Sequence, residues 1–543
     1  MRISLVGILL VLNLVLAAVG CVGDTNSTAT NEPATSVQAP AYYEESLRPR
    51  VHFTPERGWM NDPNGLVYHQ GRYHLFYQYN PDSTVWGPMH WGHAYSSDLV
   101  KWEHLPVALA PDELGTIFSG SVVVDTANTS GLGSKEAPAM VALYTSHNHE
   151  GEDAGRNDFQ TQSLAYSTDG GITWTKYADN PVLPNPGIKD FRDPKITWHP
   201  ASERWIMALA AFDRVKFYTS PDLKTWTFAS DFGPGRGATS GIWECPDLFP
   251  IREYLSSTLR YVLIVSVQDG APAGGTGTSY FVGDFDGTTF TPTDGDKEPL
   301  WLDRGADNYA FVTFSNSPTP ENRRLGLGWM SNWQYAQQVP TEGWRSTMTA
   351  PRSLTLHDTP DGLRLRAELV PDYFQLRARR LRLNRMSDLV PTDLWTSVNE
   401  WGQAAMDVNL NTPDGEVAAF DIALISEAGD TVSVGYDAAA REYYIDRSRL
   451  SNTAWSEDFP ARHTAPRQDF GKAETLRILI DRNSIELFAD DGFTVLTDTY
   501  FFSGPRSGMI LTGAANITGT IYEMTEAIPT PLSVAKVRLG IED

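Results

Sequence analysis

A short acidic turn that ends in an aromatic residue recurs four times between residues 97 and 290, and each copy follows a run of alternating or apolar residues. Acidic and small residues in such positions favour a tight connection between two strands. The copies begin roughly 50 to 70 residues apart, which suits about four short strands, the content of one blade of a β-propeller. The periodicity leaves the number of blades open. The copies span residues 97–102, 167–174, 220–226 and, with Phe in place of Trp, 284–290.

The rest of the chain has the same strand-like character. Between residues 50 and 350, short apolar or alternating runs separated by Gly, Pro, Asp and Asn take the place of long amphipathic helices. The segment 368–372 is typical of a linker. In later segments apolar and polar residues alternate regularly, as in the strands of a β-sandwich. We therefore predict an all-β chain with a propeller over 45–370 and a sandwich over 378–535. A length of 543 residues fits two such domains.

The first 21 residues resemble a lipoprotein signal peptide. Arg2 precedes an apolar run that is too short to span a bilayer comfortably, and 18–21 resembles a bacterial lipobox with Ala where Leu is commonest. In such a signal Cys21 would be acylated and become the mature N-terminus. Residues 22–44 begin with a stretch rich in Thr, Asn, Ser, Ala and Pro and are predicted to form a flexible tether. We expect export to the bacterial cell envelope or the exterior, with membrane contact only through the lipid.

The charge of the chain and its weaker motifs exclude several classes of partner. A formal net charge of −24 argues against nucleic acid, whose phosphates would be repelled. The Gly-rich stretch 274–279 resembles a phosphate loop, but a strand-like segment follows it instead of a helix. The run 147–150 contains two His, yet no second ligand cluster has metal spacing. We predict no cofactor and no metal, and Cys245 is interpreted as a packing residue; the oligomeric state stays open.

Three acidic residues lie one or two positions before a proline, where the local backbone would fix the orientation of the carboxylate. In the heptad 59–65, Pro63 biases Asp62 towards an extended backbone and a tight Asn-Gly turn follows. Asp193 precedes a proline, and Glu244 is followed by Cys-Pro. A single Asp-Pro turn is ordinary in a protein of this size. Three fixed carboxylates among aromatic residues instead indicate glycosidase chemistry.

The order of these motifs resembles that of glycoside hydrolase family 32, the β-fructofuranosidases. The likeness covers most of the mature chain, and it implies five propeller blades around a central channel, followed by a β-sandwich. The matching motifs are Trp59-Met60-Asn61-Asp62-Pro63-Asn64-Gly65, Gln78-Tyr79-Asn80-Pro81, Trp91-Gly92-His93-Ala94, Phe118-Ser119-Gly120-Ser121, Arg192-Asp193-Pro194, Glu244-Cys245-Pro246, Asp307-Asn308-Tyr309-Ala310 and 484–492.

The resemblance also implies a role for each carboxylate in a reaction that retains the anomeric configuration. Asp62 would attack the anomeric carbon, and Glu244 would protonate the leaving oxygen and then deprotonate water. Apolar sequence neighbours of Glu244 favour its protonated form. Arg192 favours an ionised Asp193, which would stabilise the transition state. The family's substrate-binding positions carry over as Trp59, Asn61, Gln78, Trp86, Phe118, Ser119, Arg192, Asp307 and Tyr309.

The predicted function is hydrolysis of terminal β-D-fructofuranosyl units from levan, inulin and sucrose. Segments around Gln162 and Trp333 resemble those of levanases and exo-inulinases, and we expect both to line the mouth of the site. A sucrose-specific invertase and a fructosyltransferase using the same covalent intermediate stay open. An inactive surface protein that binds fructan is a candidate from a different class, and an inverting arabinan-type hydrolase is a weaker one. Preference among the three substrates is left open.

Overall fold

The computed structural model describes residues 42–293, 299–384, 391–411, 417–470, 475–513 and 517–541. The predicted signal peptide, Cys21 and nearly all of the predicted tether lie outside these residues. Among the described residues, no helix is both long and apolar enough to cross a membrane.

Three antiparallel sheets form the first part of the described chain. In each of them consecutive strands are neighbours, so the sheet is a simple meander. Helix α1 (His149–Asp153) interrupts the second sheet. The strands are β1 (Gly58–His69), β2 (Arg72–Asn80), β3 (His90–Ser96) and β4 (Trp102–Leu109); β5 (Thr116–Val124), β6 (Met140–His147), β7 (Gln160–Ser167) and β8 (Thr175–Lys176); β9 (Phe191–His199), β10 (Arg204–Ala211), β11 (Val215–Ser220) and β12 (Thr227–Phe232).

Two further sheets follow, and one later strand returns to the first sheet. That strand, β20, pairs with β1 in parallel and so ties the end of this region to its beginning. The strands are β13 (Trp243–Arg252), β14 (Leu259–Val267), β15 (Gly277–Phe285), β16 (Phe290–Pro292) and β17 (Leu300–Trp301); β18 (Tyr309–Thr313), β19 (Arg324–Met330), β20 (Trp344–Arg345), β21 (Thr347–Met348), β22 (Arg352–Thr359) and β23 (Gly362–Leu369).

The first strands of these five sheets face a common axis. Strand β1 contacts β5, β5 contacts β9, β9 contacts β13, β13 contacts β18, and β18 contacts β1. Such a cycle of innermost strands is the architecture of a β-propeller, in which each sheet is a blade.

The recurring acidic turns lie where the sequence predicted them, in the outer hairpins. Asp98 joins β3 to β4, and its carboxylate accepts hydrogen bonds from the backbone N–H groups of Val100 and Lys101, at 3.0 and 2.8 Å. Asp169, Asp222 and Asp286 occupy the same place between the third and fourth strands of the next three sheets and also accept backbone N–H bonds. Each turn therefore caps one blade through its own carboxylate.

Two six-stranded sheets form the second part of the chain and pack around one apolar core. Their alternating strands turn one face inward, as in a β-sandwich. The predicted fold class, a propeller followed by a sandwich, is confirmed. The strands are β24 (Arg377–Leu383), β25 (Thr392–Asp393), β26 (Met406–Asn411), β27 (Phe420–Ser426), β28 (Thr431–Asp437), β29 (Glu442–Arg449), β30 (Arg462–Pro466), β31 (Thr475–Ile480), β32 (Ser484–Ala489), β33 (Thr494–Thr499), β34 (Arg506–Gly513) and β35 (Thr518–Met524).

The segments at the two ends of the sandwich both contact the propeller. The connection after the propeller is a 3-10 helix, Pro371–Leu376, whose Tyr373 side chain is buried and donates a hydrogen bond to the backbone carbonyl of Val51. Helix α3 (Leu532–Leu539) contacts β4 of the propeller, so the end of the predicted sandwich region returns to the first domain. The remaining helices are α2 (Trp395–Val398) and the 3-10 helices Ala336–Gln338, Asn399–Trp401 and Asp490–Gly492.

A buried charged cluster joins the propeller to the sandwich. The guanidinium of Arg352 in β22 donates to Asp303 at 2.9 Å and, across the interface, to Glu486 at 2.8 Å and Thr497 at 2.7 Å. Arg352, Asp303 and Glu486 are essentially excluded from solvent. Buried charges need such partners, because an unpaired one is very costly away from water.

His52 extends the same cluster. Its two ring nitrogens lie 2.8 Å from carboxylates of Asp481 and Glu486, both in the sandwich region. Burial alone would lower the pKa of His52, but hydrogen bonds and charges from the two carboxylates raise it to about 9. The imidazolium is therefore present at neutral pH and acts as a second cation in the interface.

Candidate active site

Every innermost strand of the propeller has a bulge near the same end of the channel. A bulge inserts an extra residue into a strand and turns its side chain away from the regular alternation. In all five strands a predicted site residue lies in the bulge or directly beside it, so the bulges set the direction in which these side chains point. The irregularities lie between Met60 and Pro63 in β1, between Ile117 and Gly120 in β5, between Arg192 and Lys195 in β9, between Glu244 and Asp247 in β13, and between Tyr309 and Val312 in β18.

Prolines explain why three of these strands are irregular there. Pro63, Pro194 and Pro246 have no N–H to give to a ladder and fit only an edge strand, which the innermost strand of a blade is. Asp193 and Cys245, each directly before a proline, have left-handed backbones with φ of 65° and 45°. Such conformations cost energy in residues other than Gly and are typical of functional sites.

A cavity of about 330 Å³ opens at this end of the channel. Its walls contain seven polar or aromatic side chains in addition to those predicted: His147, Glu152, Gln160, Asp190, Gln268, Trp333 and Gln337. Of these, only Trp333 had been expected at the mouth of the site. The predicted residues that line the cavity are Asn61, Asp62, Gln78, Trp86, Phe118, Ser119, Arg192, Asp193 and Glu244.

Asp62 is held by one hydroxyl and leaves one oxygen free. The Ser119 hydroxyl donates to Oδ2 at 2.8 Å, whereas Oδ1 has no hydrogen-bond partner among the described residues. Burial and the charge of Glu244 raise the pKa of Asp62 to about 6. A carboxylate that lines the cavity and has one oxygen without a hydrogen-bond partner is suited to nucleophilic attack once it is ionised.

Asp193 differs from the sequence expectation in its environment. Its Oδ2 accepts a hydrogen bond from the Cys245 backbone N–H at 3.0 Å, and the Cys245 sulfur lies 3.6 Å from it. Burial raises the pKa of Asp193; the charge of Arg192 opposes this shift, and Glu244 and Asp62 add to it. Arg192 was expected to lower the pKa of this carboxyl, but burial outweighs the cation and the pKa is raised.

Glu244 also has surroundings that its sequence neighbours did not predict. Arg192 donates to Oε1 from Nε at 3.1 Å and from Nη2 at 2.8 Å, and the Tyr309 hydroxyl donates to Oε2. The sequence predicted apolar side chains around this carboxyl, but the groups that contact it are the guanidinium of Arg192 and the phenol of Tyr309. A carboxyl held from both oxygens in this way has a fixed orientation towards the cavity.

Arg192 is itself fixed by a second carboxylate. Asp190 accepts from its Nη1 at 2.7 Å, so the guanidinium bridges Asp190 and Glu244. The backbone N–H of Phe191 donates to the amide oxygen of Gln160 at 2.8 Å, and the same oxygen lies 3.5 Å from Arg192. Gln160, and not the Gln162 expected from sequence, therefore lines the cavity; Gln162 is fully buried behind it.

Three predicted binding residues do not line the cavity: Tyr309, which donates to Glu244, and also Trp59 and Asp307. Trp59 is buried, donates from its indole to Asn61 at 2.8 Å and stacks on Trp333, so it supports two lining residues. Asp307 lies elsewhere: both oxygens are buried at the contact with the sandwich, where they accept from Arg447 at 2.8 Å and Tyr335 at 2.7 Å. The predicted sugar-binding role of Asp307 is corrected to a structural one in this interface.

Three side chains that could hold a metal meet at the cavity wall, namely His147, His149 and Glu152. The Gln160 amide, oriented by Phe191, donates to Nδ1 of His147 at 3.2 Å. In the neutral ring the proton of His147 is then on Nε2, which lies 3.0 Å from Glu152 and 3.1 Å from His149. This tautomer is inferred from the hydrogen-bond network. It forms a closed hydrogen-bonded cluster and turns a proton, not a lone pair, towards the place a metal would take.

The geometry suits cleavage of a glycosidic bond. Two carboxyls, one with an oxygen that has no hydrogen-bond partner and one held through both oxygens, share a cavity with aromatic side chains, as in a glycosidase site. The fold and the site together define the class of a carbohydrate-cleaving enzyme built on a propeller.

The comparisons with known proteins give the family. Residues 52–367 match the glycosyl hydrolases family 32 N-terminal domain, and residues 375–523 match the glycosyl hydrolases family 32 C-terminal model. This chain belongs to glycosyl hydrolase family 32 and is a glycosidase.

Three relatives illustrate the similarity. The chain is 46% identical to a levanase of Bacillus subtilis over 477 residues, 87% of this chain and 69% of that protein. It is 36% identical over 511 residues to an extracellular exo-inulinase of Aspergillus awamori, 89% of this chain and 94% of that protein; a crystal structure of exo-inulinase from that organism has a TM-score of 0.80. A fructofuranosidase of Schwanniomyces occidentalis complexed with fructose has a TM-score of 0.79, with 33% identity over 90% of this chain and all of that one.

Proposed function

We propose that this enzyme removes terminal β-D-fructofuranosyl units from levan and inulin, and also cleaves sucrose, with retention of configuration. The observation that carries the proposal is the arrangement of Asp62 and Glu244 in one small cavity, the first with a free oxygen and the second held by Arg192 and Tyr309. The names of the relatives, a levanase, an exo-inulinase and a fructofuranosidase, supply the substrate class.

In the proposed reaction Asp62 forms a bond to the anomeric carbon while the bond to the leaving oxygen breaks. Glu244 gives its proton to that oxygen. A water molecule then returns a proton to Glu244 and attacks the anomeric carbon, which frees Asp62 and releases fructose. Asp193 and Arg192 would bind the hydroxyls of the furanose ring, and Ser119 would keep Asp62 oriented.

A small cavity favours action at chain ends. Trp86 and Phe118 on one wall and Trp333 on another leave about 330 Å³, the room for one or two sugar rings. A site that closes around the terminal unit admits the end of a polymer and not its middle.

A digest of levan and inulin tests this mode of action. We expect free fructose from the first minutes with both polymers, resolved by chromatography, and no early ladder of fructo-oligosaccharides, because each cleavage would release one terminal unit. A ladder would instead demonstrate endo cleavage, and cleavage of sucrose alone would favour the invertase. Incubation at high sucrose concentration checks the transferase alternative, whose products would be longer oligosaccharides.

We further propose that the enzyme is exported and held to a membrane by a lipid on Cys21. The support is the lipobox-like run 18–21 and the word extracellular in the name of the relative from Aspergillus awamori. A single acyl chain gives weak, reversible membrane binding, whereas the several acyl chains of a bacterial lipoprotein anchor the protein stably.

Changing Cys21→Ser in the full chain should move the enzyme out of the membrane fraction of a bacterial host. Fractionation followed by a fructose-release assay measures this, and activity per molecule should stay the same because the residues that line the site, from Asn61 to Gln337, all follow the signal peptide and tether in sequence. Recovery of the unaltered protein as a soluble form whose N-terminus is cut at another position would refute the anchor.

A further inference from the structure

Phe212 occupies a strained turn that is hydrogen-bonded to two segments of the active site, and it exposes its ring to solvent. It begins the hairpin between β10 and β11, and its backbone is left-handed, with φ of 62°. Its side chain is 54% exposed. A bulky residue is rare in this conformation, which Gly or Asn adopts at lower cost.

The backbone of Phe212 is fixed to the beginnings of β9 and β13, two of the three strands that contain the catalytic carboxyls. Its N–H donates to the carbonyl of Asp190 at 3.3 Å, and its own carbonyl accepts from the N–H of Trp243 at 2.7 Å. Asp190 holds Arg192, and Trp243 directly precedes Glu244. The hairpin therefore lies on the Glu244 side of the cavity, where the leaving part of the substrate must be.

Packing gives no reason for an aromatic residue at this position. Among the residues that the structure describes, no aromatic ring stacks on Phe212, and it belongs to none of the apolar clusters of the propeller. Backbone strain that persists without a packing benefit is a feature of functional positions. An exposed flat ring beside a sugar-cleaving site can stack on the apolar C–H face of a sugar.

We propose that Phe212 is an outer binding residue, on which a fructosyl unit beyond the scissile bond stacks when a fructan chain is bound. The inference rests on the proposed function and adds to it a preference for longer chains. Sucrose has only one sugar on the leaving side and gains little from this ring, whereas an oligosaccharide of three or more units reaches it.

The test compares kcat/KM for sucrose, a trisaccharide and a longer inulin-type oligosaccharide in Phe212→Asn and Phe212→Tyr variants. Asn accepts the left-handed backbone but has no ring, so the ratio of kcat/KM for the longest substrate to that for sucrose should fall about fivefold. Tyr keeps the ring and should restore the ratio. Because Asn relieves strain, Phe212→Asn should also raise the melting temperature by about 1 to 2 °C.

Phe228 provides the matched control. It is 51% exposed on β12, the outermost strand of the same sheet, and Phe228→Asn should leave the ratio unchanged. An equal loss on all three substrates in Phe212→Asn, a Tyr variant that does not recover the ratio, or a lower melting temperature in Phe212→Asn would each overturn the proposal. Failure of the proposed function would be distinguishable, because the unaltered enzyme itself would then release no fructose from any of these substrates.

Discussion

Asp62→Asn and Glu244→Gln are each expected to lower turnover of sucrose and inulin by about three to five orders of magnitude. A nucleophile and its acid/base partner act as one unit, so the loss of either removes most of the catalysis that both provide. Both substitutions keep the shape of the side chain. Single-turnover and steady-state assays of purified variants measure the effect, and fructose release is the readout.

A variant that retains more than about a tenth of the original turnover would refute the role assigned to that residue. Phe228→Asn, with its exposed position on β12, is again a suitable control because it should keep full activity. Asp193→Asn should be costly as well, since its carboxylate lines the same cavity.

The stability of Asp62→Asn shows whether its inactivity has a chemical cause. Burial and the charge of Glu244 raise the pKa of Asp62 from 3.8 to about 6 in the folded protein. The folded state therefore gains stability from the protonated form at low pH and loses that contribution as the pH rises through about 6. An Asn at this position never ionises, so the variant should melt at a higher temperature than the unaltered protein at pH 8. The difference should shrink towards pH 4, as followed by calorimetry.

The fold could be predicted largely because it is encoded locally. Each acidic turn, such as the one at Asp98, is a short sequence whose carboxylate binds the backbone a few residues further on. The three Asp-Pro or Cys-Pro pairs likewise mark bulges, since a proline cannot continue the ladder of its own strand. Signals that act within a few residues can be recognised without knowledge of the rest of the chain.

The electrostatics of the site could not be predicted in the same way. Trp243 and Cys245 flank Glu244 in sequence, but neighbours on a strand point to opposite faces. What Glu244 contacts is Arg192 from β9 and Tyr309 from β18. Contacts between strands distant in sequence depend on the register of the whole ring.

The sequence also failed to predict the location of Asp307 and the backbone conformation of Phe212. Asp307 lies in a family motif two residues before Tyr309, yet only Tyr309 reaches the catalytic carboxyl, while Asp307 pairs with Arg447 of the sandwich, 140 residues away in sequence. The left-handed backbone of Phe212 gives no sequence signal either, because Phe is not a residue that marks such a turn. Residues whose function depends on the second domain or on strain become recognisable only in the folded structure.

The interface cluster explains how the sandwich is held at the propeller. Arg352 joins Asp303 of the propeller to Glu486 and Thr497 of the sandwich, all within 2.7 to 2.9 Å and without access to solvent. His52 adds a second cation beside Glu486. The cations need not make the folded state more stable than apolar residues of equal size would, but removing one of them leaves carboxylates buried without compensation.

Arg352→Met should therefore destabilise the protein by about 3 to 5 kcal/mol, since the carboxylates of Asp303 and Glu486 lose their shared cation. In a chain of this length that corresponds to a fall in melting temperature of roughly 3 to 5 °C. Arg252→Met is the matched control, because Arg252 pairs with Glu321 at the surface, where the two side chains are 39% and 76% exposed, and a pair of this kind contributes about 1 kcal/mol or less. Calorimetry on the full chain measures the melting temperatures of the Arg352 and Arg252 variants. If Arg352→Met melted within about 1 °C of the Arg252 variant, the buried cluster would not be what fixes the sandwich to the propeller.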